Sequence, residues 1–319
     1  MTEDASSDDK LFEEALDLII RLQNDPANPV TRDLVAGWRA RGASHEAAWA
    51  EAAELHGMAG KVLQGGRGGE RPGRGGSRRT VMLGGLAALA TAGAGAAFGP
   101  ALWIHLRADY ATSTGELRRI TLADATVVTL GPDTALRSTF TPTTRQAELL
   151  AGMAFFEVAP DPSRPFTVAA GEMRARALAT AFDIGVDAGF VRLAVDRGRV
   201  RAEGPGPALA RGETVEAGRY LTLDQNTFGV ESGPRESGSI GSWRDGLIVA
   251  EREPISSVVA RIARWQAGRV MILDPGLGAQ RISGVFDLGN PRAALEAVVH
   301  PRGGKVRQLS PWLTLITSV

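Results

Sequence analysis

Residues 190–204, FVRLAVDRGRVRAEG, decide how the middle of this chain is to be read. Leu193 and Val195 alternate with Arg192, Ala194 and Asp196, and Gly198 then turns the chain into Arg199, Val200 and Arg201. A period of two broken by glycine is the pattern of a β-hairpin with one buried face and one wet face. The rhythm continues on both sides. Between residues 113 and 230 short apolar runs recur, among them LRRITL, TVVTL, AELLAGMAFFEV, FTVAAG, RARALATAFDIGV and ETVEAGRYLTL, with Gly, Asp and Pro at the breaks. Such spacing predicts an all-β domain over 110–231, of sandwich or β-helical type.

Beyond a glycine-rich stretch from Ser232 to Ser242 the periodicity changes. GLIVA, RVMILD, RISGVFDL, KVRQL and WLTLITS read as strands, and PISSVVARIARWQAG and PRAALEAVV as helices. The first helix is opened by Pro254 and turns Ile255, Val258, Val259 and Ile262 inward. Residues 243–319 are therefore expected to form a small α+β module.

Toward the N-terminus, residues 8–60 read as three short helices. Leu11, Ala15, Leu18, Ile19 and Leu22 line the first, Leu34, Val35 and Trp38 the second, and Ala48, Trp49, Ala52 and Leu55 the third, which Ser44 is placed to cap. Residues 1–60 hold twelve acidic against five basic residues, whereas residues 61–79 hold six basic residues against Glu70 alone. The tract GGRGGERPGRGG within 61–79 has nothing apolar to bury and reads as a linker. It has an RGG-like look, but without interleaved aromatics it does not predict RNA binding.

Val81 to Ile104 carries no charge. A helix of that length spans roughly 36 Å, enough for a bilayer core of about 30 Å, although alanine and glycine supply little transfer free energy. The expectation is a transmembrane signal-anchor helix over 80–104. Arg78 and Arg79 hold its N-terminal side in the cytoplasm and, with Ser77, match the twin-arginine export pattern; Trp103 is expected at the far interface. The expected fold class is thus a multidomain membrane protein. It has a small all-α cytoplasmic domain, one transmembrane helix, an all-β periplasmic domain and a small α+β C-terminal module.

The chain of 319 residues has a formal net charge of zero and no cysteine, which excludes disulfides, thiolate metal sites and a cysteine nucleophile. His45, His56, His105 and His300 fall in no metal-ligand spacing, and neither a GxSxG elbow nor a GxxxxGK[ST] loop is present. Asp161, between Pro160 and Pro162, is better explained by a turn than by acid chemistry. No catalytic residue, metal, cofactor or small-molecule substrate is expected, nor direct contact with nucleic acid.

The stretch AELLAGMAFFEVAPDPSRPFTVAAGEMRARALATAFDI resembles the central signature of the FecR-type transmembrane sigma-factor regulators. That signature is a strand ending G-x-A-x-F-x-V, then D-P-x-R-P-F-x-V, then L-G-T-x-F. ELRRITLADATVVTLGPDTAL is similar to the family's preceding strands, with Ala125 where a turn glycine is usual. LDLIIRLQ, AGWRA and SHEAAWA resemble its cytoplasmic helical domain, with Leu18 where tryptophan is common. WRDGLIVAEREPISSVVARIARWQ with RISGVF is similar to the secretin and TonB short N-terminal module.

The resemblance implies an inner-membrane, single-pass anti-sigma factor with its C-terminus in the periplasm. Leu18, Leu22, Trp38 and Trp49 would bind an extracytoplasmic-function sigma factor. The periplasmic part would receive the signalling domain of a TonB-dependent outer-membrane receptor, in iron-carrier uptake. Family members can cleave themselves at the Gly-Thr bond of L-G-T. Here the pair is Ala179–Thr180, and the alanine methyl is expected to make cleavage slow or absent. A structural envelope protein is the remaining alternative.

Overall fold

The computed structural model describes residues 108–318 apart from Pro311, residues 29–50, and separate helical positions within 11–22 and at 52, 53, 104 and 107. The chain divides into two units, Met1–Gly76 with Arg307–Leu315, and Ser77–Val306 with Ile316–Val319.

In the first unit, helix α1 (Pro29–Arg39) is preceded by helical residues between 11 and 22 and followed by a helix over 43–50. Ala15, Leu18, Ile19, Val35, Trp38, Ala48 and Ala52 are buried together at the three- and four-residue spacing that one helix face requires. Trp38 holds the group in register. Its indole N–H donates to Glu14 Oε2 at 2.8 Å, and its ring meets His45 edge-on at 4.8 Å.

The second unit is built on a thirteen-stranded sheet that curls about strand β5 (Arg145–Glu157). The first half of β5 pairs antiparallel with β4 (Ala135–Phe140) and parallel with β6 (Phe166–Ala170). Its second half pairs antiparallel with β3 (Val127–Leu130) and β8 (Ala181–Asp187). The strand changes layer near Gly152, whose φ of 93° is open to glycine, and where a Cβ would come within 2.5 Å of the Thr134 Cα.

From β6 the sheet runs outward through β7 (Met173–Ala177), β10 (Arg199–Glu203) and β11 (Glu213–Glu216). From β8 it runs through β9 (Phe190–Arg197), β12 (Arg219–Asp224) and β13 (Val230–Pro234). The short strands β1 (Tyr110–Ala111) and β2 (Arg118–Thr121) pair with β4 and β3. The two wings close on one core containing Phe156, Phe166, Phe182, Ile184, Leu193, Val200 and Leu221. Phe156 and Phe182 stack at 5.2 Å, and each fully buried aromatic contributes about 1.5–3 kcal/mol.

The DPSRPF motif is the crossover that brings β6 back parallel to the start of β5. Arg145, fully buried, pairs with Asp124 at 2.9 Å, lies 3.7 Å from Asp161, donates to the Ala159 carbonyl at 3.0 Å, and sits over the Phe166 ring. Asp161 accepts from the Ser163 hydroxyl and from Arg164, which together hold its carboxyl down to about 2. It shapes a turn, as the flanking prolines suggested.

The chain continues through β14 (Leu247–Pro254), α2 (Ile255–Ala263), β15 (Arg269–Ile272), α3 (Pro275–Ala279), β16 (Arg281–Asp287), α4 (Pro291–Val299), β17 (Gly304–Ser310) and β18 (Leu313–Ser318). β14 pairs antiparallel with β16. Ile255, Val258, Val259 and Ile262 of α2 are buried as their spacing predicted, and the Asn290 side chain caps α4 by accepting from the Ala293 N–H. These residues share a second core with Met153, Phe155, Ala181 and Ala194 of the sheet.

Two expectations need correction. The face of β9 read as wet is covered: Arg192 and Ala194 are buried, because the α2 and β14 region packs on the side of the sheet opposite the first core. The fold is a mixed α/β one with a curled sheet and short helices, in place of a free-standing all-β sandwich or β-helix. Secondly, among the described residues no helix is long and apolar enough to cross a membrane. The expected span 80–104, with Arg78, Arg79 and Trp103 around it, lies outside the described residues but for Ile104. The membrane-protein class, the bilayer as partner and the single-pass inner-membrane placement are withdrawn accordingly. Lack of charge over a run is evidence of length more than of apolarity when Ala and Gly dominate it.

Candidate functional site

The most heavily charged buried region lies where β8 and β9 meet the C-terminal elements. Along β8, Phe182, Ile184 and Val186 face the first core, so the strand period sends Asp183, Gly185 and Asp187 to the other side. On β9 the same period presents Arg192 beside them. Gly185 makes room: a Cβ there would lie 2.9 Å from Arg192 Nη2.

Arg192 donates to Asp187 Oδ2 at 2.6 Å, and Arg264, just past α2, donates to Asp187 Oδ1 through Nε at 3.1 Å and Nη2 at 3.0 Å. Arg264 also reaches the Asp133 carbonyl at 2.8 Å and the Val186 carbonyl at 3.2 Å. Glu253 of β14 accepts from Arg235 at 2.9 Å and from Arg261 of α2. The Trp243 indole N–H donates to Asp183 Oδ1 at 2.8 Å. Arg244 stacks over Phe155, and Arg235 over Tyr220.

Burial pushes the carboxyls of this seam up, and the arginines push them down. For Asp187, Arg264 and Arg192 outweigh burial, and its carboxyl is held below the usual range; for Glu253, Arg261, Arg192 and Arg235 do the same. Burial wins at Asp183, raising it in spite of Arg192 and the Trp243 hydrogen bond. Burial and the neighbouring Arg192 lower Arg261 to about 10, which leaves it charged at neutral pH. Groups paired in this way are poor acids and bases, although Nε of Arg192, Arg235 and Arg261 is buried with no hydrogen-bond partner among the described residues. The arrangement is suited to holding two layers together, since removing one partner strands a buried charge.

None of these residues is singled out in the sequence as part of a site, and Arg192 reads there as a residue of a wet strand face. The available signal was the placement of Asp183, Asp187 and Arg192 on strands that also turn the small residues Ala181, Gly185 and Ala194 to the same face. That combination suits a face on which another element sits closely.

The residues that were singled out fall elsewhere. Leu18 and Trp38 lie in the helical core, Leu22 and Trp49 are half-buried, and Leu34, at 49% exposure, is an apolar side chain that the described helices present outward. Arg39 pairs with Glu46 and lies over Trp49. Ala179 is exposed at the bend between β7 and β8, while Thr180 is 3% exposed and its Oγ1 has no hydrogen-bond partner among the described residues. Thr180 is fixed through its backbone, its carbonyl accepting from the Val158 N–H at 2.8 Å. Ala179 is absent from the residues of positive φ, so this bend does not itself require glycine. No base contacts the hydroxyl, and a threonine without one is a weak nucleophile. Among the described residues no group of three His, Asp or Glu is placed to hold a metal.

Comparison with known proteins places these regions. Residues 108–201 match the model of the FecR protein family, and residues 13–55 match a domain family of unknown function, DUF4880. No curated protein matches the chain. Two crystal structures of a candidate anti-sigma factor from Parabacteroides distasonis, at 1.65 and 2.50 Å resolution, share its fold with a TM-score of 0.58 and 23% identity. Each likeness covers 66% of this chain and 98% of the other. The reading of the chain as regulatory and non-catalytic rests on these matches. The chain thus carries segments that match the FecR and DUF4880 family models, and it shares its fold with a candidate anti-sigma factor.

Proposed function

We propose that this chain is an anti-sigma regulator in which residues 13–55 hold an extracytoplasmic-function sigma factor and residues 108–318 receive the controlling signal. The observation that carries the reading is the joint presence, in one chain, of the DUF4880 match followed by the FecR match. The acidic balance of residues 1–60 suits a basic, DNA-binding partner. Leu34, Leu22 and Trp49 are the contact residues of the helical unit, whereas Leu18 and Trp38 act by keeping its helices assembled. The signal is presented by the signalling domain of a TonB-dependent outer-membrane receptor, in iron-carrier uptake. Cleavage at Ala179–Thr180 plays no part in this reading.

The test is affinity purification of the intact protein co-expressed in turn with each extracytoplasmic-function sigma factor of its host. One sigma factor should be retained, and Leu34→Glu should lower its recovery about tenfold while leaving the helical circular dichroism unchanged. Retention of none would contradict the proposal.

A further inference from the structure

One wing of the sheet keeps an uncovered face. On β4, β5, β6, β7 and β10 the outward positions line a groove of about 540 Å³, formed by Arg137, Thr139, Gln146, Glu148, Thr167, Arg174, Arg176 and Glu203 with Ala147 and Ala169. The strand registers arrange its side chains in two rows. Thr139, Gln146, Thr167, Arg176 and Arg201 stand side by side, and next to them Arg137, Glu148, Ala169, Arg174 and Glu203.

The charges of this face are not internally balanced. Glu203 is taken by Arg201 at 3.1 Å, and Arg201 also reaches the Arg211 carbonyl. Arg137, Arg174 and Arg176 are exposed and make no ion pair among the described residues. Arg176 and Arg201 are directly opposed across β7 and β10, a like-charge pairing that destabilises a sheet. Glu148 stands opposite Arg137 and Glu203 opposite Arg174, so with Arg176 and Arg201 the face carries four arginines against two carboxylates, an excess that a ligand of opposite charge would complement.

The geometry selects the kind of ligand. Arg137 on β4 is three strands from Arg174 on β7, about 14 Å at the usual strand spacing. A single small anion cannot meet both, whereas an extended peptide rising ~3.4 Å per residue brings carboxylates four residues apart to both ends. Thr139, Gln146 and Thr167 offer hydrogen bonds between them. We propose that this groove docks an acidic, extended peptide segment of a partner protein, with Arg137, Arg174 and Arg176 pairing its carboxylates.

The experiment is fluorescence anisotropy of a labelled Ser/Gly peptide with aspartate at every fourth position, titrated with the intact protein at low salt. Saturable binding is expected, weakened at least about tenfold by Arg174→Glu combined with Arg176→Glu, and unaffected by Arg269→Glu on the exposed side of β15. Thermal melts of the variants establish that they are folded. The proposal is overturned by equal binding to the double variant, by equal binding of a lysine-substituted peptide, or by inorganic phosphate displacing the peptide at matched charge concentration.

Discussion

Strands β7 and β8 are separated by three residues and have opposite burial. In β7, MRARA, buried and exposed residues alternate strictly; in β8, AFDIGVD, all but Val186 are buried. Both strands are paired antiparallel along both edges, β8 with a single register shift at Ala181, so the difference in burial is one of neighbours. β7 has the first core on one side and solvent on the other, whereas β8 has a core on each side. A charged residue therefore has two meanings in the same sheet. Arg174 and Arg176 are surface groups free to meet a partner, while Asp183, Asp187 and Arg192 are buried and must be satisfied within the molecule.

The comparison breaks most visibly at Asp187. Asp187→Asn leaves Arg192 and Arg264 without their carboxylate and should cost about 3–5 kcal/mol in denaturant unfolding. A loss under about 1 kcal/mol would show that this face is solvated like that of β7. Trp243→Phe keeps the ring in the second core but removes the donor to Asp183, with an expected loss of about 1–3 kcal/mol by the same measurement.

Ala125 probes the β2–β3 turn, away from both faces. Its φ of 67° is costly for any side chain, and Ala125→Gly should stabilise by about 1 kcal/mol. At the low end, Arg174→Ala and Arg176→Ala should each change stability by no more than about 0.5 kcal/mol.

The seam also carries a pH dependence of mixed sign. Asp187 and Glu253 are held below the ordinary carboxylate range, so the stability they contribute is complete above that range and is lost as pH falls through their lowered values. Asp183 is raised, so its contribution is present below the ordinary range and is lost as pH rises through its raised value. Asp183→Asn, which retains an acceptor for Trp243, should abolish that loss on the alkaline side while leaving the acid limb in place. Unfolding free energies across pH 3–9 read out both limbs; an unchanged alkaline side in the variant would contradict the assignment.

Much of the local structure was legible because period and punctuation are local properties. The inward residues of α2, the strands flanking it and the DPSRPF turn all follow from spacing and from proline or aspartate chemistry. The unusual Ala125 was marked by the family resemblance alone, as an alanine where the family's turn glycine is usual. What periodicity does not carry is the identity of the element on the far side of a strand. FVRLAVDR alternates whether its second face meets water or α2 and β14, and the seam depends on pairings such as Asp187 with Arg264, 77 residues apart. The candidate contact residues show the same limit, since a helix pattern marks Leu18, Trp38 and Leu34 alike as apolar and only packing separates core from surface.

The central claim is that the curled sheet and the C-terminal elements behave as one body, joined through Asp183, Asp187, Arg192, Glu253, Arg261 and Arg264. Hydrogen exchange on the intact protein, read at the amides of β8, β9, β14 and α2, tests it most directly. In the wild-type chain these amides should exchange with a common opening free energy, and in Asp187→Asn those of β14 and α2 should open first. Independent, faster opening of β14 and α2 already in the wild-type chain would contradict it.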